Sequence, residues 1–553
     1  MLIRPRKTFI GQTSQKLAAF LVFFACAVQV GWTQDFTRQD TLRGTVTSER
    51  IWWDLNYYDL AVEIDPTQKF IRGSNVIGFT PLEKGNKRMQ IDLQPPMQIK
   101  RVQWQGRELS FSSEGNAHFI EFPKNLKKGK YDEITVHYEG NPREAVRAPW
   151  DGGFSWKKDG NGKPFVATSC QGLGASVWWP NKDHMYDEVD SMAIRLTVPK
   201  DLVGVANGRL TKTEKKGNQT TYHWFVTNPI NNYGVNANVG DYVHFGEVYQ
   251  GEKGPLDIDY YVLRENLDKA KEQFKQVPLM MDAFEHWFGP YPFYEDSFKL
   301  VEVPYLGMEH QSSVTYGNKY LNGYLGNDLS GSGWGLKFDF IIIHEAGHEW
   351  FANNITYKDA ADMWVHEGFT AYSENLFLDY HYGKEASSAY VIGTRRNIRN
   401  DRSVIGVYGV NFPGSGDMYY KGANLLHTLR QLIEDDELWR DILRGLNKEF
   451  YHQTVTTKQI EDYISKRSGK DLTAFFDQYL RTKKIPFLEY RLNNGALEFR
   501  YQNVVDNFDM PIKAKLGDQW QWILPTTNWK SVKNNVNSVE FDQNFYVKTK
   551  EVD

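Results

Sequence analysis

Cysteine is nearly absent from this sequence: Cys26 and Cys170 are the only two among 553 residues. That excludes a disulfide scaffold and any cysteine-based metal cluster. Positive charge is not in surplus either. Lys and Arg number 65 against 69 Asp and Glu, a formal net charge of −4, so the basic footprint of a nucleic-acid-binding protein is missing. The chain is neither poor in apolar residues nor dense in charge; 41% hydrophobic and 24% charged residues exclude a disordered chain. It has no internal repeat and no low-complexity tract. Its uncharged apolar run, Leu17–Val28, falls well short of the ~20 residues a membrane-spanning helix needs. What is present is length, enough for roughly three or four domains with cores of their own.

Residues 1–33 read as an address. Arg4, Arg6, Lys7 and Lys16 precede the apolar run and no acid accompanies them, the order of a secretory signal. A retained N-terminal anchor is the alternative. A lipid on Cys26 fits poorly, because Phe23 and Phe24 stand where smaller residues precede a lipidated cysteine. Ala25-x-Ala27 and the Thr33/Gln34 neighbourhood are both candidate cleavage points. Cleavage after Thr33 removes four positive charges and no negative ones, taking 553 residues to 520 and the net charge from −4 to −8. Cys170 would then stand alone. An exported chain that cannot form an internal disulfide suggests a bacterial envelope, periplasmic or extracellular, in which the Asn218-Gln-Thr sequon goes unused. No stable membrane insertion is expected after signal removal. The oligomeric state does not follow from the sequence.

Three regions are expected beyond the signal, at 34–250, 251–485 and 486–553. The first alternates with period two between turns, as in Asp59–Asp65, Met89–Leu93 and Glu133–Tyr138, which predicts half-buried antiparallel strands. The second turns helical over Arg264–Trp287, Phe338–Asn353, Val365–Tyr380, Gly422–Glu434 and Asp471–Leu480. Alternation returns in Leu497–Tyr501, Pro511–Lys515 and Gln519–Ile523. The 17 Trp and 31 Tyr are expected mainly in sheet cores and turns.

The chemistry is concentrated in the middle region. Ile341-Ile-Ile-His-Glu-Ala-Gly-His-Glu-Trp350 contains H-E-x-x-H in a helical stretch, so His344 and His348 project from one face and can bind one metal. Glu345 is offset towards the place where a metal-bound water would lie. Glu367 follows with eighteen residues between it and His348, on what reads as a second helix. Two histidines and one carboxylate leave a fourth position open, the arrangement of a catalytic zinc, one per chain. Glu374 lies two turns beyond Glu367 on the same face and can accept a hydrogen bond from a ligand imidazole.

The segment His344–Glu374, with His348-x-Trp-Phe-x-Asn353, Ile355-Thr356 and Asp362-x-Trp364, resembles the gluzincin zinc aminopeptidases, the family of aminopeptidase N and the leukotriene-hydrolysing aminopeptidases. Leu306-Gly-Met-Glu-His310 is similar to that family's Gly-x-Met-Glu-Asn motif, and Tyr419-Tyr-Lys-Gly422 to its Tyr-x-Lys-Gly motif. Ser169-Cys-Gln171, followed by Trp179-Pro and Asp183, resembles the segment carrying a substrate-binding glutamine. The resemblance implies an α+β multidomain fold: an N-terminal antiparallel β domain, a thermolysin-like, mostly helical catalytic domain and a small C-terminal β domain. It implies Glu345 as general base, Tyr419 as oxyanion donor, and Glu309, Gln171, Gly307 and Met308 at the substrate. Asp362 and Glu374 are implied as supports behind the ligands. The implied substrates are peptides with a free N-terminus, whose α-ammonium Glu309 would hold one residue from the metal. The expected member is a short one, without the large C-terminal helical domain of many relatives.

Several positions depart from the family pattern. Leu306 stands where the first Gly is usual, His310 and His366 where Asn is usual, and Glu349 where Gln is common. The first of these leaves residue preference open. Two alternatives are an epoxide-lipid hydrolase, which nothing in the sequence specifically supports, and a catalytically silent binding module. The retained Glu345, Tyr419 and full ligand set oppose the latter.

Overall fold

The computed structural model describes residues 35–85, 88–533 and 537–553. The expected signal, its cleavage points and the alternative anchor lie outside the described residues. Among the described residues no helix is long and apolar enough to cross a membrane.

A 13-residue strand, Trp53–Asp65, runs through an eight-stranded sheet. Its alternating residues Tyr58, Leu60, Val62 and Ile64 are buried, as period two requires. It pairs antiparallel with Phe70–Pro81 but parallel with Ser191–Pro199, so the expected antiparallel sheet contains one parallel pair. That pair needs a long crossover, and the chain between them supplies further strands. Among these, Pro164–Ser169 belongs to a four-stranded sheet and leads directly to Gln171. Trp52, Trp53, Trp178 and Trp179 are all fully buried in this β region, where much of the tryptophan content lies.

The hairpin of Tyr242–Gly251 and Gly254–Leu263 crosses the expected boundary at 250/251. Its second strand pairs with Phe298–Glu302, and that strand with Val314–Tyr316, in a five-stranded sheet. One edge of this sheet is the two-residue strand Gly307–Met308. The single helix expected over Arg264–Trp287 is two helices, Leu267–Gln273 and Gln276–Phe288. Pro278 explains the break: it lacks the amide donor an uninterrupted helix would need and is tolerated in the first turn of a new one.

Helix Phe340–Gly347 carries the H-E-x-x-H motif, and Asp339 caps it by accepting from the amides of Ile341 (3.1 Å) and Ile342 (3.4 Å). Its partner, Trp364–Tyr382, is 19 residues long and is buried over its first fifteen. The latter helix packs on Tyr420–Ile433 through glycine: a Cβ placed on Gly422 would lie 2.7 Å from Gly368 Cα. The C-terminal strands form two small sheets. They share a core with the helices rather than building their own; Leu488 and Phe499 join the same buried cluster as Tyr479, whose hydroxyl donates to the Tyr546 carbonyl at 2.7 Å.

Gly422→Ala is therefore expected to cost about 1–3 kcal/mol in urea unfolding, because backbone rather than a movable side chain blocks the methyl group. Gly416→Ala, which meets nothing within 4 Å, is the control and should unfold like wild type.

Candidate active site

His344 and His348 lie one helical turn apart, both almost fully buried, with ring centroids 5.1 Å apart. His344 Nδ1 donates to Glu374 Oε1 at 2.7 Å, and the other Glu374 oxygen accepts the Tyr390 hydroxyl at 2.6 Å. His348 Nδ1 donates to the Phe351 carbonyl at 3.0 Å. Both protons thus sit on Nδ1, leaving both Nε2 lone pairs free. Glu367 Oε2 faces them, 3.3 Å from His348 Nε2 and 3.8 Å from His344 Nε2. That oxygen is buried and has no hydrogen-bond partner. With neutral rings these are three acceptors converging on one point, a set that could hold a metal ion, and two imidazole nitrogens with one carboxylate oxygen suit zinc.

The local backbone explains how His348 obtains its acceptor. The sequence predicts helix through Asn353, yet the helix opens after His348 into a wide turn over Glu349–Asn354, with Phe351 at φ −126°, ψ 77°. In an unbroken helix the Phe351 carbonyl would point along the axis towards the C-terminus, away from the preceding His348 ring. Opened, that carbonyl turns back to the imidazole. Asn353, at the end of the turn, donates from Nδ2 to the Glu309 carbonyl at 2.9 Å and so ties the two motifs together.

Glu345 lies beside the edge strand. A Cβ on Gly307 would come within 3.1 Å of Glu345 Oε1 and 2.7 Å of Ile341, so only glycine lets the strand approach this closely. Carboxylate oxygens of Glu309 and Glu345 and a nitrogen of His348 lie within 4.8 Å of one another. Burial raises the Glu345 carboxyl to about 7; the Glu309 carboxylate adds to the shift and the imidazoles oppose it.

Glu309 is 3% exposed. Its Oε1 accepts from Gln171 Nε2 at 2.6 Å and from the Tyr233 hydroxyl at 3.1 Å. Gln171 Nε2 also donates to Glu367 Oε1 at 2.8 Å. One amide thus bridges Glu309 to the carboxylate of the candidate metal site, and the Gln171 oxygen stays available as an acceptor. Met308 is buried next to Glu309 in the edge strand. Tyr419, just before helix Tyr420–Ile433, stacks on His344 with centroids 6.0 Å apart. Burial, and then the Glu367 carboxylate, raise its phenol well above the ordinary value.

One expected support is misplaced. Asp362 accepts the Tyr408 hydroxyl at 2.6 Å, and among the described residues no hydrogen bond joins it to a ligand. It sits in the short turn Ala360–Asp362 ahead of the Glu367 helix, which directs its side chain elsewhere. The histidine departures also differ in role. His310 is fully buried, faces Thr315 Oγ1 at 3.2 Å and is driven by burial down to about 3, hence neutral. His366 accepts the Tyr357 amide at Nε2 (2.8 Å) and turns Nδ1 towards the Tyr233 hydroxyl at 3.4 Å. Sequence reasoning missed Tyr233, Tyr390 and Thr370, the last 3.0 Å from His348 Nδ1. Only Thr370 carried a signal, lying three residues after Glu367 on the same helix face.

A two-histidine, one-glutamate centre with an adjoining carboxylate, on a β-then-helical scaffold, defines a zinc metallopeptidase. Residues 55–233 match the Peptidase M1 N-terminal domain and residues 272–479 the Peptidase family M1 domain. The chain belongs to the M1 peptidase family. It is 22% identical over 441 residues to leukotriene A-4 hydrolase of Xenopus laevis, covering 74% of this chain and 68% of that one. It is 19% identical over 484 residues to probable aminopeptidase 1 of Sulfurisphaera tokodaii, covering 81% and 57%. The fold is that of the M1 zinc metallopeptidase of Deinococcus radiodurans, with a TM-score of 0.65 at 20% identity over 76% of this chain and 91% of that one. A mutant of that enzyme, crystallised with a Tyr-Ser-Ala substrate, gives the same TM-score over 79% and 96%.

Glu374→Ala is expected to weaken zinc binding about 10- to 100-fold, because His344 loses the acceptor that fixes its tautomer. Competition against a chromogenic chelator would measure this, and far-UV circular dichroism should show the fold intact.

Proposed function

We propose that the protein is an aminopeptidase that removes single residues from the free N-terminus of peptides, with Glu345 as general base and Tyr419 as oxyanion donor. The observation that carries this reading is the Gln171 bridge, which keeps the Glu309 carboxylate next to metal-ligating Glu367. Glu309 and the Gln171 oxygen then receive the substrate ammonium, and fixing that charge selects the first peptide bond for cleavage.

When bound by His344, His348 and Glu367, zinc supplies a Lewis acid that polarises the scissile carbonyl and acidifies a water. Glu345 takes the proton of the attacking water and delivers it to the leaving amine. A carboxyl raised towards neutrality suits both halves of that shuttle, and the burial responsible also limits competing solvent. The Tyr419 hydroxyl stays protonated and donates to the developing oxyanion. Gly307 and Met308 lie on a sheet edge along which an extended peptide backbone can pair. The basic-then-apolar order of residues 1–28 supports the further proposal that the enzyme is exported.

With aminoacyl anilides, Glu345→Gln should abolish chelator-sensitive turnover. Tyr419→Phe should lower kcat about 10²- to 10³-fold. Glu309→Gln should reduce kcat/KM about 10- to 100-fold, mainly through KM, as a charge-assisted contact is lost. N-acetylated peptides should resist cleavage; their hydrolysis at the wild-type rate would rule out the exopeptidase reading.

A further inference from the structure

His366 stands where the family pattern has asparagine, and its ring makes two contacts that an asparagine is too short to make together. It is fully buried in the first turn of the helix that carries Glu367, with the Tyr357 ring packed over it at 4.2 Å. The Tyr357 amide donates to Nε2 at 2.8 Å. A backbone N–H can only donate, so Nε2 keeps its lone pair and the neutral ring carries its proton on Nδ1. That nitrogen faces the Tyr233 hydroxyl, 3.4 Å away. With its oxygen accepting there, Tyr233 turns its own proton to Glu309 Oε1 at 3.1 Å.

The opposite direction is closed. If the Tyr233 hydroxyl donated to Nδ1, both ring nitrogens would be acceptors, and a neutral imidazole has only one. The donations therefore run one way, from the Tyr357 amide through imidazole and phenol to the carboxylate. Burial makes that direction consequential: Tyr233 and Glu309 are each 3% exposed, and a hydroxyl that accepts a hydrogen bond in such surroundings donates a stronger one. Gln171 Nε2 donates to the same Glu309 oxygen at 2.6 Å, so two protein donors engage Oε1. Oε2 is then the oxygen left to receive an ammonium.

Side-chain length shows why a ring is needed. Asparagine can place an amide nitrogen where Nδ1 stands but has no atom at the Nε2 position. Glutamine reaches the Nε2 position and leaves the Nδ1 position empty. The imidazole serves both, and it ties Tyr357, Tyr233 and Glu309 into one chain.

We propose that His366 is a positioning residue for the substrate ammonium: acting through Tyr233, it fixes the direction of the phenol proton and so holds the Glu309 carboxylate in its binding orientation. The proposal rests on the aminopeptidase reading above and adds to it the residue that orients the charge acceptor.

The test uses two competitive inhibitors that differ only in the α-amino group, the phosphonic acid analogue of leucine and 3-methylbutylphosphonic acid. The ratio of their Ki values reads the ammonium contact, and a partial loss of folded or zinc-loaded enzyme cancels from it. Wild type is expected to favour the amino compound about 10- to 100-fold. His366→Gln keeps an acceptor for the Tyr357 amide but has no donor to Tyr233, and should lower that preference about 3- to 10-fold. His366→Asn, with a donor at the Nδ1 position, should keep most of it. Tyr233→Phe should lose at least as much as His366→Gln, and the His366→Gln/Tyr233→Phe double variant should lose no more than Tyr233→Phe alone. A preference unchanged in His366→Gln, an equal loss in His366→Asn, or a double variant that loses the product of the two single losses overturns the proposal. Wild type with no preference for the amino compound overturns the aminopeptidase reading and the proposal with it, whereas failure in the variants alone leaves that reading standing.

Discussion

The buried meeting of two imidazole lone pairs with an unprotonated carboxylate oxygen is the constraint around which the surrounding structure is arranged. Acceptors packed together away from water are costly unless a cation joins them, and each must be held in place until one does. The holding is visible in every direction. Glu374 and Tyr390 fix His344, the opened turn at Phe351 fixes His348, and Gln171 takes the other oxygen of Glu367. The glycine contact between Gly368 and Gly422 brings the helix that follows Tyr419 against the one bearing Glu367. Remove the convergence and these features lose their common reason.

Metal chemistry was readable in the sequence because it depends on local helical geometry. His344 and His348 are four residues apart, and Glu367 and Glu374 are seven apart, so their relative placement follows from 3.6 residues per turn. The alternating segments likewise located strands, since period two is a property of the strand alone. Asp362, by contrast, reads as a support behind the ligands, while its carboxylate accepts the Tyr408 hydroxyl instead. The opened turn after His348 was not legible either, because nothing between Glu349 and Asn354 breaks a helix on its own. Tyr233 is further out of reach: it arrives at Glu309 from 76 residues away, with no spacing rule to announce it. Pro278 was a legible signal that a continuous run of good helix formers conceals.

The histidine departures show how one substitution pattern can have two physical meanings. His310 is neutral and enclosed, facing Thr315, and it shapes the turn after Glu309. His366 sits one residue before a metal ligand and orders its surroundings through both nitrogens, one accepting a backbone amide and the other meeting Tyr233. Residue type alone would have assigned them similar tasks.

The seam behind Glu309 gives the Gln171 bridge a wider meaning. Gln171 and Tyr233 come from the β-rich region, whereas Glu309 and Glu367 come from the helical one. Asn207 Nδ2 donates across the seam to the Gln311 carbonyl at 2.7 Å, the Gly208 amide donates to Ser312 Oγ at 2.9 Å, and Asn236 Nδ2 reaches the Ser313 carbonyl at 3.1 Å. All three residues on the far side directly follow the Glu309-His310 pair. The span from Glu309, the ammonium acceptor of the proposed function, to the metal ligands is therefore gauged across a joint between regions, like the fixed jaw of a caliper. Under the proposed function, that polar joint bears on which peptide bond is presented to the metal as directly as any residue within the cleft does.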